Sequence, residues 1–325
     1  MRFALMMLGV AIVAACQPVD REGTDRATAF RDTVWHTPAP APPGAPAGVQ
    51  QVAVVEGFLT PESVLHDAAQ DIYFVSNING RPTNKDNNGF ISRVKPDGAV
   101  ENLRFIEGGR NDVTLHAPKG LAVVADTLWV TDIDVVRAFD AKSGAPLDSV
   151  SLTEQGAVFL NDIAVATTGA LYVTDTGIRF DDVGNVLHPG PDRVFRIGVD
   201  RTVTVPVKGD SAGFGGPNGI ALDSLGKRFV IVPFQAKTIL AWRPGDEAPS
   251  VVDSGAGGFD GVEIVGGKIF ASSWADSSVT RFDSAQSTRV ITGIPTPADF
   301  GYDARRNRLL IPVLSGNRVE IWQLQ

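Results

Sequence analysis

At 325 residues, the chain is long enough for one large domain or two ordinary ones, and 43% of its residues are hydrophobic, which is sufficient for a core. The formal net charge of −8 argues against nucleic acid as a partner and is typical of a soluble surface. The chain contains 34 glycines and 21 prolines, a composition that favours many short strands joined by turns.

The N-terminus has the pattern of a targeting segment. Arg2 precedes an apolar run over residues 4–15 that is too short to span a bilayer comfortably. The run ends in Val13-Ala14-Ala15-Cys16, which resembles a bacterial lipobox, and Cys16 is the only cysteine of the sequence. We therefore predict a lipoprotein signal peptide over residues 1–15 and lipidation of Cys16. The alternative is an ordinary signal peptide with an incidental cysteine.

A lipidated Cys16 predicts attachment to a membrane through the lipid anchor alone. By resemblance to lipoproteins of Gram-negative bacteria, the Gln at position 17, where an Asp is absent, favours the periplasmic side of the outer membrane. Residues 16–48 are predicted to be a disordered tether, because the stretch 37–48 is mostly Pro, Ala and Gly without a periodic apolar face. The folded domain is predicted over residues 49–325.

Within this domain a short strand pattern occurs six times. Each copy is β-branched or aromatic and is bounded by turn residues; the copies are 71–76, 126–132, 170–175, 227–232, 268–273 and 308–313. A further strand follows each copy, and several units add a turn and a fourth strand. Six four-stranded units at periods of about 40 to 57 residues predict an all-β fold, a six-bladed β-propeller of antiparallel strands.

The sixth unit ends at Gln325 without its fourth strand, and residues 51–55 have the character to supply it. Such a strand would close the ring and leave no exposed edge.

One position at the head of each innermost strand is predicted to form a ring at one end of the central channel; its members are Glu62, Lys119, Asn161, Asn218, Asp260 and Ala298. Four of these six residues carry hard oxygen donors. Their two carboxylates would be costly to confine without a neutralising cation, and oxygen ligands with carboxamides favour one Ca²⁺ or another divalent cation. The absence of Cys and His from the ring disfavours zinc. The alternative is that Asn and Asp only serve turn geometry.

The motifs Pro61-Glu62, Asn161-Asp162, Pro217-Asn218-Gly219 and Phe259-Asp260-Gly261 resemble those of the senescence-marker-protein/gluconolactonase family, which is regucalcin-like. The resemblance covers about residues 50–325. It implies that Glu62, Asn161, Asn218 and Asp260 hold one catalytic calcium. It also implies hydrolysis of lactones or related esters, with polarisation of the substrate oxygen by the metal and with Asp260 as nucleophile or base.

Lys119 departs from this pattern, because the branch that resembles paraoxonase has a histidine there. We assign it to the catalytic group and consider three interpretations. Lys119 turns to solvent or to Asp132 or Asp134; it contacts an anionic substrate; or it replaces the metal in part and leaves a non-catalytic ring. His116 is a candidate proton carrier, although a lone loop histidine is usually incidental.

The second strand of each blade is predicted to end on the face of the ring, so the loops that follow it surround the site. Two of them are long, residues 77–89 and 176–192, and long loops on a rigid scaffold commonly determine specificity. The substrate pocket is predicted to contain Trp274, Phe234, Asp132, Asp175 and His116. The favoured function is a monomeric calcium-dependent lactonase or esterase with a small-molecule substrate. The alternative is a non-catalytic propeller that binds a ligand or protein on the same face.

Overall fold

The computed structural model describes residues 48–180, 186–209, 214–283 and 286–325. These residues form six four-stranded antiparallel sheets, a small two-stranded hairpin and one turn of 3-10 helix at Leu314–Gly316. Innermost strands of consecutive sheets contact one another around the ring, which is the arrangement of a six-bladed β-propeller. The predicted fold class is therefore confirmed. Residues 1–47, with the predicted signal peptide, Cys16 and most of the tether, lie outside the described residues.

The strands follow the same order in every blade. The innermost strands, from blade 1 to blade 6, are β2 (Pro61–Asp67), β6 (Pro118–Val124), β10 (Leu160–Val165), β16 (Pro217–Asp223), β20 (Phe259–Val265) and β24 (Gly301–Asp303). The second strands are β3 (Ile72–Asn77), β7 (Thr127–Asp132), β11 (Leu171–Asp175), β17 (Arg228–Pro233), β21 (Lys268–Ser273) and β25 (Arg308–Val313). These second strands correspond to the six repeats of the sequence.

The outer half of each blade is built similarly. The third strands are β4 (Phe90–Val94), β8 (Val135–Asp140), β14 (Asp192–Ile197), β18 (Thr238–Trp242), β22 (Ser278–Asp283) and β26 (Arg318–Leu324). The outermost strands are β5 (Val100–Glu107), β9 (Pro146–Ser151), β15 (Val203–Gly209), β19 (Ser250–Ser254), β23 (Gln286–Thr292) and, in blade 6, β1 (Val49–Glu56). The hairpin consists of β12 (Arg179–Phe180) and β13 (Val186–Leu187), within the loop predicted at 176–192.

The hydrophobic core lies between neighbouring blades. Phe74 and Ile91 of blade 1, for example, pack in one buried cluster with Leu128 and Val130 of blade 2. The second strands are covered on both faces, which explains their nearly continuous apolar sequences. An outermost strand such as β9 is largely exposed, because it lies at the rim of its blade.

Blade 6 is joined to blade 1 at its inner edge, and its own outer edge is completed by the first described strand. At the inner edge, Asp299 N donates to Glu62 O at 2.9 Å, and Val64 N donates to Asp299 O at 3.2 Å. At the outer edge, β1 pairs antiparallel with β26 from Val49↔Leu324 to Glu56↔Arg318. The N-terminal strand thus occupies the fourth position of blade 6. Among the described residues no helix is long and apolar enough to cross a membrane.

Candidate active site

Five of the six predicted ring residues, all but Ala298, lie in β-bulges at the start of the innermost strands. In blade 1 the pairing of β2 with β3 shifts between Pro61 and Val64, and the same irregularity follows Pro118, Leu160, Pro217 and Phe259 in blades 2 to 5. A bulge leaves one residue unpaired in the ladder and redirects its side chain. The bulges therefore explain why one residue per blade faces the channel mouth.

Hydroxyl groups on the second strands fix these bulges. Thr174 Oγ1 accepts a hydrogen bond from Asp162 N at 2.9 Å in its own blade and donates to Asn218 O of the next blade at 2.6 Å. Ser272 in the same way accepts from Gly261 N at 2.8 Å and donates to Ala298 O at 2.9 Å. Each hydroxyl therefore ties the bulge of one blade to the ring residue of the next. Sequence analysis missed this role, although a Ser or Thr in several of the repeats is its visible signal.

Glycine after the ring position permits this close approach of blades. A Cβ on Gly219 would lie 2.5 Å from Asp260 O, and one on Gly261 would lie 2.7 Å from the Cα of Asp299. Both positions would force backbone atoms apart, which explains the Asn218-Gly219 and Asp260-Gly261 pairs in physical terms.

Four buried oxygens at the ring have no hydrogen-bond partner within the described part of the chain. They are Glu62 Oε2, Asn161 Oδ1, Asn218 Oδ1 and Asp260 Oδ1, and each of these residues is at most 6% exposed. Buried polar atoms are rarely left unpaired, so these four oxygens share one channel mouth with their lone pairs free to accept from a ligand. Across the same described residues no group of three or more His, Cys, Asp or Glu is placed to hold a metal. The ring instead combines two carboxylates with two carboxamides.

The pKa values of the ring carboxyl groups show that burial disfavours their ionised forms. Burial raises the pKa of Asp260 to about 7, and Asp162 adds to this effect by repulsion. Burial and then the charge of Asp260 raise the pKa of Glu62 well above its usual value, with Lys119 acting against them. The indole N–H of Trp274, a donor near the carboxylate, opposes this rise in the pKa of Asp260, although Trp274 Nε1 forms no hydrogen bond of good geometry among the described residues. The protein alone therefore does not stabilise two ionised carboxylates here.

Further carboxyl groups line the channel below the ring. A cavity of about 260 Å³ runs along the innermost strands of all six blades and is lined by Asp162, Glu263 and Asp299, among others. Burial raises the pKa of Asp162 to about 6 and that of Glu263 to about 8. Asp162 is held by the backbone N–H groups of Ile220 and Ile163. These groups make the whole axis electronegative when they ionise.

Lys119 does not turn to solvent. It is 1% exposed, its Nζ donates to Ala117 O at 3.0 Å, and the same atom lies 4.4 Å from the centre of the Phe159 ring. Asp134 pairs with Lys85 instead, and Asp132 pairs with Arg137. Burial lowers the pKa of Lys119 to about 8, while Glu62 and Asp132 oppose this shift. The first interpretation of Lys119 is thus wrong, because the side chain is enclosed between the ring and an aromatic wall.

A cavity of about 220 Å³ opens directly above the ring. It combines all five polar ring residues with apolar side chains; its lining is Thr60, Glu62, Ile78, Gly80, Pro82, Lys119, Phe159, Asn161, Thr176, Ile178, Phe180, Asn218, Phe234, Asp260, Trp274 and Leu314. Phe234 and Trp274, predicted as pocket walls, both line it and meet edge to face at 5.2 Å between ring centres. Both long loops contribute as predicted, the first through Ile78 to Pro82 and the second through Thr176 to Phe180.

The described lining of this cavity does not include Asp132, Asp175 or His116, which the sequence placed in the pocket. Asp132 accepts hydrogen bonds from His116 N and Ala117 N, and Asp175 accepts one from Phe159 N at 2.7 Å. Both carboxylates brace the turn that leads into the ring residue of their own blade. The ring of His116 accepts from Asn87 N at 3.0 Å. The sequence correctly indicated that these residues lie at the ring end of the propeller channel, but it did not indicate the direction of their side chains.

Fold and site together define a six-bladed propeller with an oxygen-rich ring beneath an apolar cavity. The chain matches no protein-family model and no curated protein. Among solved structures it is similar to a protein provisionally assigned as a gluconolactonase, with 18% identity, a TM-score of 0.64 and coverage of 87% of this chain and 93% of that one. A gluconolactonase from Xanthomonas campestris is 20% identical, with a TM-score of 0.63 and coverage of 89% and 99%.

A third structural neighbour is a chain of a nidogen/laminin complex, with 18% identity, a TM-score of 0.52 and coverage of 70% of this chain and 80% of that chain. At such identities the comparisons establish the propeller fold alone. The first two agree with the family resemblance seen in the motifs.

Proposed function

We propose that the protein is a metal-dependent hydrolase of lactones or related esters, with Ca²⁺ as the favoured metal. The observation that carries the proposal is the set of four unpartnered buried oxygens at the channel mouth, on Glu62, Asn161, Asn218 and Asp260. Two carboxylates and two carboxamides are ligands that suit a hard divalent cation, with water completing the coordination. The gluconolactonase neighbours support the reaction class.

These four residues would hold the metal, and a bound divalent cation supplies Lewis-acid polarisation of a carbonyl oxygen. The chain's own contribution is orientation and exclusion of water. Hydroxyl-tied bulges hold the ligand side chains in place, so little reorganisation is needed on binding. Phe159, Phe180 and Phe234 cover the cavity and lower the local dielectric, which strengthens electrostatic interactions at the reacting group.

Asp260 is the residue we assign as nucleophile or general base. It is the carboxylate of the ring that lies beside Trp274, at the bottom of the cavity where an acyl group would sit. Burial raises its pKa to about 7, which is close to the value that general-base catalysis favours near neutral pH. Neutralisation of the site by a cation would keep it ionised at that pH.

The proposal is tested with the purified protein in three measurements. Stoichiometric calcium is expected by elemental analysis, hydrolysis of a lactone panel is expected to disappear with EGTA, and Asp260→Asn is expected to lose it. Asp253→Asn on the outermost strand β19 is the matched control, because it removes one carboxylate far from the ring. A well-folded protein that binds no calcium at millimolar concentrations would end the catalytic proposal.

The alternative is a non-catalytic propeller that binds a ligand or protein on the same face. Lys119 favours it, because an ammonium group that lines the same cavity as the ring repels a cation bound there. The neighbour from a nidogen/laminin complex is a propeller found in a protein–protein complex. Calcium binding without hydrolysis of any lactone or ester in the panel would favour this function.

Location and assembly are also proposals. Lipidation of Cys16 would place the protein on the periplasmic side of a membrane, the outer membrane of a Gram-negative bacterium being favoured, and we propose a monomer without nucleic-acid partners. Mass spectrometry of the membrane-extracted protein would show an acylated N-terminal Cys16. A mature chain that begins elsewhere and carries no lipid would contradict the anchor.

A further inference from the structure

The cavity contains a buried cation that lacks a counterion. Within residues 48–180, 186–209, 214–283 and 286–325, no carboxylate oxygen forms an ion pair with Lys119 Nζ at 4.0 Å or less. Asp134 and Asp132 pair with Lys85 and Arg137 instead. Ala117 O is the one hydrogen-bond acceptor of Lys119 Nζ in that part of the chain, and the Phe159 ring centre lies 4.4 Å from the same atom, so two of its three N–H donors have no acceptor atom there. A buried ammonium group normally has an ion pair, and this one lines an open cavity.

The nearest negative charges are committed elsewhere. Asp132 accepts from two backbone N–H groups and from Arg137 Nε at 2.6 Å. Glu62 and Asp260 would be neutralised by the divalent cation of the proposed function, on which this step rests. The positive charge of Lys119 would then be the unbalanced charge of the loaded cavity, and it would favour an occupant with a single negative charge.

The rest of the lining restricts what that occupant can be. Phe159, Phe180, Phe234 and Trp274 present aromatic surface to the cavity. Thr176, one of the few other polar groups, already donates to Pro217 O at 2.9 Å. Few groups therefore remain to satisfy the hydroxyls of a polyol, and a polar ligand body would be desolvated without compensation.

We propose that Lys119 is a specificity-determining residue that selects acyl substrates with an apolar, ring-sized body and one carboxylate. The carboxylate would accept hydrogen bonds from the free N–H groups of Lys119, and the body would pack against the aromatic wall. Sugar-derived lactones with several hydroxyls would be poor substrates for this cavity.

The test uses two non-hydrolysable probes of equal shape, 3-phenylpropionate and the neutral 3-phenylpropionamide. Isothermal titration of the full protein in millimolar calcium is expected to show about tenfold tighter binding of the carboxylate, the effect of a charge-assisted hydrogen bond in a desolvated site. In Lys119→Met, whose side chain is unbranched and uncharged and only one atom shorter, this preference should disappear. Lys119→Gln serves as a second neutral variant, and melting curves verify that both fold.

Each outcome decides. A carboxylate preference that persists in both variants would mean that the metal, not Lys119, holds the anion, and it would overturn the inference. Equal binding of both probes to the parent protein would overturn it as well. If the parent binds no calcium and hydrolyses nothing but prefers the carboxylate only with Lys119 present, the proposed function fails, and Lys119 stands as the anion-selecting residue of a ligand-binding cavity and not as a determinant of substrate.

Discussion

Replacement of Asp260 by Asn should stabilise the metal-free protein while it removes one ligand of the proposed metal site. The carboxyl of Asp260 has a pKa of about 7 in the fold against a usual 3.8. Because the folded pKa is the higher one, ionisation costs folding free energy as the pH rises above about 4, and the cost is complete above about 7. At about 1.4 kcal/mol per pH unit, the penalty at pH 8 is at most roughly 4 kcal/mol.

The assay is thermal unfolding of parent and Asp260→Asn in EGTA and in millimolar calcium at pH 8 and pH 5. In EGTA at pH 8 the variant should melt higher, by about 10 °C at most for a domain of this size. The difference should shrink at pH 5, where Asp260 of the parent is protonated. Calcium should raise the melting temperature of the parent by mass action and reduce or reverse the advantage of the variant.

Asp132→Asn provides the contrast. Asp132 is equally buried, but it accepts two backbone hydrogen bonds and pairs with Arg137, so its loss should destabilise the protein with or without calcium. An Asp260→Asn variant that melts below the parent in EGTA at pH 8 would show that the ring does not penalise two carboxylates. The argument for a cation at the ring would then lose its electrostatic basis.

Three further predictions follow from the same contacts. Calcium affinity should fall as the pH drops below about 7, because the raised pKa values of Asp260 and Glu62 make the metal compete with protons. Titrations in buffers of different ionisation enthalpy would detect the released protons. A constant affinity from pH 8 to 5.5 would contradict this pH dependence. Thr174→Val should cost about 1 to 3 kcal/mol of folding free energy and weaken calcium binding, because it removes the hydrogen bond from Thr174 Oγ1 to Asn218 O. The corresponding residue of blade 4 is already Val232. Unchanged denaturation midpoints and an unchanged calcium affinity would argue against this role of the hydrogen bond. Deletion of residues 49–57 removes β1 and exposes the edge of β26, so it should cause unfolding or aggregation in size-exclusion chromatography; cooperative melting near the parent temperature would refute a closing role for β1.

The architecture could be predicted from the sequence because each repeat has the same pattern of burial and therefore the same pattern of residues. The second strand of each blade is buried on both faces, so its pattern of β-branched and aromatic residues recurs in recognisable form. Ring residues could likewise be located, since the same position in four of the six repeats carries an oxygen donor before a short residue. The N-terminal strand could be paired with the last blade because that blade lacked a strand.

Side-chain direction around the ring was not predictable from the repeat. Asp132 and Asp175 end their strands on the correct face, yet they point back at backbone N–H groups of the preceding turn. Their direction depends on which neighbouring donors are unsatisfied, and those donors belong to turns with no repeated sequence. The hairpin of β12 and β13 similarly depends on pairing within a long loop that carries no alternating pattern.

Lys119 connects the two halves of the problem. When only a bound metal is considered, a lysine at a ring of oxygens is unfavourable, because its ammonium group and the cation repel each other. Its Nζ, however, is held by Ala117 O and by the face of Phe159, so the charge is directed along the cavity wall. With the proposed divalent cation bound by two carboxylates, the one further positive charge in the wall would give the cavity the charge distribution that an anionic substrate requires. Measurement of probe affinities in Lys119→Met therefore tests whether this departure from the family pattern changes the substrate and not the chemistry.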